Sequence, residues 1–181
     1  IHPPSDLRTY GAGFLPALHQ GTPLRVPRKK GEVAIADLVD SNADPESQRR
    51  RLDFLQRSNQ RLLDRVHTDA QMEGIIDSFE LAFRMQAETP EIVDLSGESK
   101  STMAMYGINE GASDVNGRAA LMARRLSESG VRFVQVTMDG WDHHGDILNA
   151  LPRSCAGADK PIAGLIHDLK QRGLLDETLV I

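Results

Sequence analysis

Five of the eight residues in Asp139-Gly140-Trp141-Asp142-His143-His144-Gly145-Asp146 are aspartate or histidine. Carboxylate oxygen and neutral imidazole nitrogen together suit zinc, manganese or iron, and two glycines let the backbone turn sharply enough to aim neighbouring side chains at one point. Two pairs have ligand spacing, Asp142 with His144 and Asp139 with His143. A complete site needs three or four protein ligands, so this loop requires donors from elsewhere. The competing reading is structural: Asp146 caps a helical turn, Asp142 fixes a turn, and the histidines are solvated.

The elements flanking the loop must position it. The run Val131-Arg132-Phe133-Val134-Gln135-Val136-Thr137-Met138 predicts a strand from its β-branched content. Before it, 117–129 forms an amphipathic helix ended by Gly130. After it, a helix runs from Asp159 or Pro161 to Arg172 and stops at Gly173. Thr178-Leu179-Val180-Ile181 predicts a second strand. Helix, strand, helix, strand at these lengths implies an α/β unit with a parallel sheet and right-handed crossovers. In such sheets ligands bind beyond the carboxyl ends of the strands, which is where the Asp/His loop begins.

The first half is helix-rich behind an irregular start. Proline and glycine punctuate residues 1–43, as in Tyr10-Gly11-Ala12-Gly13-Phe14-Leu15-Pro16, and predict a long loop. Asp44-Pro45-Glu46-Ser47 is a helix start, with Asp44 as cap and Pro45 at the first helical position. Leu52, Leu55, Asn59, Leu62, Leu63 and Val66 then predict one buried stripe, with the arginines opposite. A second helix is expected over 70–87, broken at Thr89-Pro90, with short helical pieces over 91–95 and 99–106 ending at Gly107. Gly97-Glu98-Ser99-Lys100-Ser101 lacks the second glycine of a phosphate loop and no strand precedes it. The expected organisation is a single partial domain over 1–181: an irregular region 1–43, a helical region 44–115 and an α/β part 116–181.

With 181 residues, 40% of them hydrophobic and 26% charged, the chain has the composition of a globular domain. The net charge of -5 argues against a nucleic-acid partner, and the clusters Arg28-Lys29-Lys30 and Arg49-Arg50-Arg51 are expected to be solvated faces. The sequence holds no apolar run of spanning length, and a membrane partner is not expected. A single cysteine, Cys155, closes no intrachain disulfide. The closing apolar run Leu179-Val180-Ile181 leads to the expectation that the chain is a fragment of a longer parent.

Several segments carry a resemblance. Arg124-Arg125-Leu126, Val131-Arg132-Phe133-Val134-Gln135-Val136, Trp141-Asp142-His143-His144-Gly145, Asp159-Lys160-Pro161 and Leu169-Lys170-Gln171-Arg172-Gly173 resemble a bacterial family of unknown function, related to sulfatases and abundant in planctomycetes. Gln20-Gly21-Thr22-Pro23 and Glu80-Leu81-Ala82-Phe83-Arg84-Met85-Gln86 resemble it too. The resemblance implies the alkaline phosphatase superfamily, a three-layer αβα sandwich with metal at the strand ends, and an exported parent. Its Trp-Asp-x-His-Gly pattern matches Trp141, Asp142, His144 and Gly145, which implies that Asp142 and His144 are metal ligands, with Asp139 and His143 as second choices. The implied cofactor is a divalent metal, with zinc, manganese and calcium not distinguished, and the implied substrate is a small sulfate or phosphate ester. On that reading the chain is one arm of a hydrolase, inactive alone because the nucleophile and other ligands lie outside it.

Other residues fit structural roles. His167 sits near a helix end, His19 and His67 are isolated, Cys155 has no neighbouring base, and Ser154 lacks a nucleophile-elbow context. Two rival functions stand beside the hydrolase: a binding or scaffold domain that holds no metal, and a helical interaction protein, which requires the absence of a parallel sheet. Exposed strand edges and apolar faces would make the chain self-associate into a homo-oligomer.

Overall fold

Glycine terminates the helices around the Asp/His loop, each time through the same hydrogen bonds. In the computed structural model, which describes residues 21–26, 44–66 and 89–181, helix α1 spans Pro45–Val66, α2 Lys100–Met105, α3 Asp114–Glu128 and α4 Ile147–Gln171. Gly107, Gly130 and Gly173 follow α2, α3 and α4 with φ of 68°, 92° and 71°, a left-handed conformation that side chains with a Cβ disfavour. The residue after each glycine donates its N–H back into the helix: Ile108 to Met103 O, Val131 to Leu126 O and Leu174 to Leu169 O, at 2.9, 3.0 and 2.9 Å. This is the Schellman closure, and it satisfies carbonyls that the helix end would otherwise leave unpaired.

The described residues fall into two compact units, one containing 44–66 and the other containing 91–181. In the first, α1 begins as its sequence dictates. Asp44 Oδ2 accepts from Ser47 N at 2.9 Å, and hydrogen bonds from Ser47 hold the Asp44 carboxyl below its usual range. Arg49–Asp53 and Arg50–Glu46 pair one turn apart along the helix. Leu52 is buried as expected, whereas Phe54 and Leu55 are exposed. The expected helix over 70–87 and the loop region 1–20 lie outside the described residues.

In the second unit α3 packs on α4 through small residues. Gly117, Ala119 and Ala120 of α3 and Gly157, Ala158 and Gly164 of α4 are all buried. The last turn of α2 is pressed against both helices. A Cβ on Gly117 would lie 2.3 Å from Tyr106 O, and one on Gly164 would lie 2.7 Å from Met105 O. Any larger residue at either position must push the backbone of α2 away.

The expected α/β architecture is overturned. Among the described residues there is no strand and no sheet, so neither a parallel sheet nor an αβα sandwich is present in 116–181. Residues 131–138 and 178–181 carry no β-ladder, and Phe133 and Leu179 are largely exposed. β-branched side chains make an extended backbone favourable, but a strand also needs a neighbour to complete its hydrogen bonds, and no local signal supplies one.

The start of α4 is a second correction. The helix begins at Ile147 and runs through Pro152 and Pro161, although Asp159 or Pro161 was expected to open it. Proline at 161 cannot donate to the carbonyl four residues back, Gly157 O. Asn116 Nδ2 from α3 donates to that oxygen instead, at 2.9 Å. The side chain of a neighbouring helix thus supplies the hydrogen bond to Gly157 O that proline cannot.

Candidate functional site

The Asp/His loop joins the extended segment after α3 to the start of α4. Gly140 adopts φ 89°, and its carbonyl accepts a hydrogen bond from Ser154 Oγ of α4 at 2.7 Å. At the far end, Asp146 occupies the cap position of α4. Its backbone carbonyl accepts from Ala150 N, while its carboxylate accepts from Asn149 Nδ2 rather than from a backbone N–H. The loop is therefore fixed at both ends by the helix that follows it.

Within the loop, Asp142 and His144 meet. His144 Nδ1 lies 2.6 Å from Asp142 Oδ1, with the two side chains 86% and 82% exposed. Two residues apart in sequence, the carboxylate and the imidazole are in direct contact. With Nδ1 facing the carboxylate, Nε2 is the nitrogen left available for a ligand. A carboxylate that orients a histidine in this way is the common companion of a metal-binding imidazole.

The second-choice pair is arranged differently. His143 is half-buried, its ring is edge-on to Trp141 at a centroid distance of 6.2 Å, and its Nε2 is buried without a hydrogen-bond partner. Asp139 is exposed. His143 thus differs from the exposed, carboxylate-paired His144.

The donor chemistry at Asp142 and His144 fits a divalent cation, but the pair is not a complete site. Among the described residues no group of three or more His, Cys, Asp and Glu side chains converges on one point. Ser154 Oγ is engaged with Gly140 O, Cys155 is free and exposed, and exposed His167 contacts Gln171 through Nε2 at 2.9 Å. His19 and His67 lie outside the described residues.

The sequence reading did not single out a second cluster of ionisable groups in the same unit. Arg124 of α3 is buried, with 2% of its side chain exposed, and contacts Glu98 Oε1 and Glu128 Oε2 at 2.6 Å each. Its Nε lies 3.0 Å from Asp168 Oδ2 without the alignment of a hydrogen bond, so that one N–H remains unsatisfied. Asp168 of α4 instead accepts from Tyr106 Oη at 3.0 Å and from Arg172 Nε at 2.8 Å. Arg125 reaches Glu98 Oε1 at 2.8 Å.

Burial pushes the Glu98 carboxyl up, yet hydrogen bonds from Arg125 and Arg124 outweigh that and hold it below its usual range. Burial and the Asp168 carboxylate push the Tyr106 hydroxyl well above its usual range, so it stays protonated as a donor. Arg124–Glu128 and Asp168–Arg172 each stand one helical turn apart, a signal visible in sequence. This cluster opposes three cations with three carboxylates that link α3, α4 and the segment before α2, so its chemistry is that of a structural clamp.

Residues 2–181 match a family described as a protein of unknown function, DUF1501. The chain belongs to the DUF1501 family. No curated protein and no solved structure matches it. Family membership spans nearly the whole DUF1501 chain, including the Asp/His loop and the ionic clamp, but assigns neither of them a role.

Proposed function

We propose that this DUF1501 chain contributes the Asp142–His144 arm of a divalent-metal site in a hydrolase acting on phosphate or sulfate esters. The observation that carries the reading is the 2.6 Å approach of His144 Nδ1 to Asp142 Oδ1 on a loop tied down by Ser154. The resemblance of Trp141, Asp142, His144 and Gly145 to the Trp-Asp-x-His-Gly pattern of a sulfatase-related family supports it. A divalent cation held there, whether zinc, manganese or calcium, supplies positive charge against the negative charge that builds on the oxygens of an ester during hydrolysis. His144 would hold the cation through Nε2, while Asp142 would orient that imidazole through Nδ1 and add negative charge. The remaining ligands and the nucleophile come from outside the described residues.

Calorimetric titration with zinc and with manganese tests this, using the wild type, His144→Ala and Asp142→Asn. Binding by the wild type that is lost in both variants is expected. Equal, negligible uptake by all three overturns the reading and leaves a binding or scaffold domain that holds no metal.

A second reading, a helical interaction protein, is favoured by the absence of a sheet among the described residues and by the apolar side chains α4 leaves uncovered. Leu148 is 85% exposed, and Leu151, Ile162 and Ile166 are exposed on the same side of the helix. It requires sedimentation that shifts from monomer to oligomer with concentration and reverts in Leu148→Glu. A strictly monomeric profile at high concentration counts against it.

A further inference from the structure

A serine inside a helix ordinarily turns its hydroxyl back to the carbonyl four residues earlier. Ser154 does so only weakly: Ala150 O is 3.4 Å away, whereas Gly140 O, fourteen residues earlier in the chain, accepts the hydroxyl at 2.7 Å. The bond therefore leaves the helix and reaches the Asp/His loop. It lands on the residue at which the loop turns, since Gly140 has φ 89°. Fixing that carbonyl fixes the peptide plane between Gly140 and Trp141, and with it the direction in which the chain departs toward Asp142. Further along the same helix, Gly157 and Gly164 seat it against Ala112 and Met105 backbone atoms.

We propose that Ser154 is the positioning residue for the Asp142–His144 pair: by holding the Gly140 carbonyl it sets the course of the chain that lets His144 Nδ1 and Asp142 Oδ1 meet at 2.6 Å. Ser154 touches neither side chain and acts through the backbone alone. The inference rests on the reading of that pair as a ligand arm, but its test does not require metal. An exposed loop with two glycines has many conformations of similar energy, and a pair of side chains on it stays together only if the turn between them and the scaffold is held.

Imidazole nitrogen spectra of the full chain report which ring nitrogen of His144 carries the proton. The His144 signals are assigned by their loss in His144→Ala. The wild type is expected to hold the proton on Nδ1, facing Asp142. Ser154→Ala is expected to move most of the population to the Nε2–H form that an unpaired imidazole prefers, with an unchanged helical circular dichroism spectrum. Ser154→Thr, which keeps the hydroxyl, restores the Nδ1–H form. A Ser154→Ala spectrum identical to the wild type overturns the proposal, as does a Ser154→Thr that behaves like Ser154→Ala.

A parallel titration with zinc alone separates this claim from the one beneath it. If the wild type binds zinc, Ser154→Ala is expected to bind about tenfold more weakly, and equal affinities overturn the positioning role. If the wild type takes up no zinc, the ligand-arm reading fails, and the tautomer result alone decides whether Ser154 positions the pair.

Discussion

Two clusters of ionisable side chains occupy the same helical unit under opposite conditions. Around Arg124, carboxylates and guanidinium groups from α3, α4 and the segment before α2 are drawn out of water and paired almost completely. Around His144, one carboxylate and one imidazole sit together in solvent, tied to the scaffold by the backbone rather than by their own charges. Desolvated charge is stable only while every partner is present, so the first cluster is committed to holding helices together. The solvated pair contributes little to folding and keeps donor atoms available, which is the condition a ligand needs.

The largest effect that separates the two is the loss of Arg124. Arg124→Ala leaves Glu98 and Asp168 buried without their central cation, and it should lower the unfolding free energy by about 3–5 kcal/mol. Denaturant unfolding followed by circular dichroism measures it. A loss below about 1 kcal/mol would show that water reaches this cluster as freely as it reaches the loop, and the contrast would disappear.

Acid sharpens the same contrast. Because the arginine hydrogen bonds hold the native Glu98 carboxyl below its unfolded value, its contribution to stability is fully present above the unfolded glutamate pKa and is lost as pH falls through the lowered native one. Melting temperatures of the wild type should therefore drop steeply below about pH 4.5, and Glu98→Gln should be less stable at neutral pH with a shallower acid slope. Parallel slopes in the two proteins would mean that other carboxylates account for the acid sensitivity.

What the sequence disclosed about these clusters follows the range of the interactions. The Asp44-Pro45 start of α1 and the stops at Gly107, Gly130 and Gly173 were legible because capping and a left-handed glycine are settled within a few residues. At the loop, spacing offered Asp142 with His144 and Asp139 with His143 alike, and the resemblance put the first pair ahead. The start of α4, expected at Asp159 or Pro161, was misplaced where the carbonyl that Pro161 leaves open is bonded by Asn116 on another helix, and 131–138 misled because β-branched content states a preference without naming a neighbour. The ionic clamp went unread although Arg124–Glu128 and Asp168–Arg172 have helical spacing. Its decisive partners are distant, with Glu98 26 residues from Arg124 and Tyr106 62 residues from Asp168.

The smallest expected effect lies on the loop and is the more demanding test of the comparison. His144→Ala removes a side chain that is 86% exposed and whose partner, Asp142, is 82% exposed. Truncation at such a position creates no cavity and strands no buried charge, so stability should stay within about 0.5 kcal/mol of the wild type. The carbonyl of Gly140 keeps its bond from Ser154, and the helix cap at Asp146 is untouched, so the backbone of the loop has no reason to move. Chemical unfolding of His144→Ala beside Arg124→Ala measures the difference directly. A loss at His144 comparable to that at Arg124 would mean that the loop's charges hold the fold after all, and that solvent exposure had concealed a structural pair.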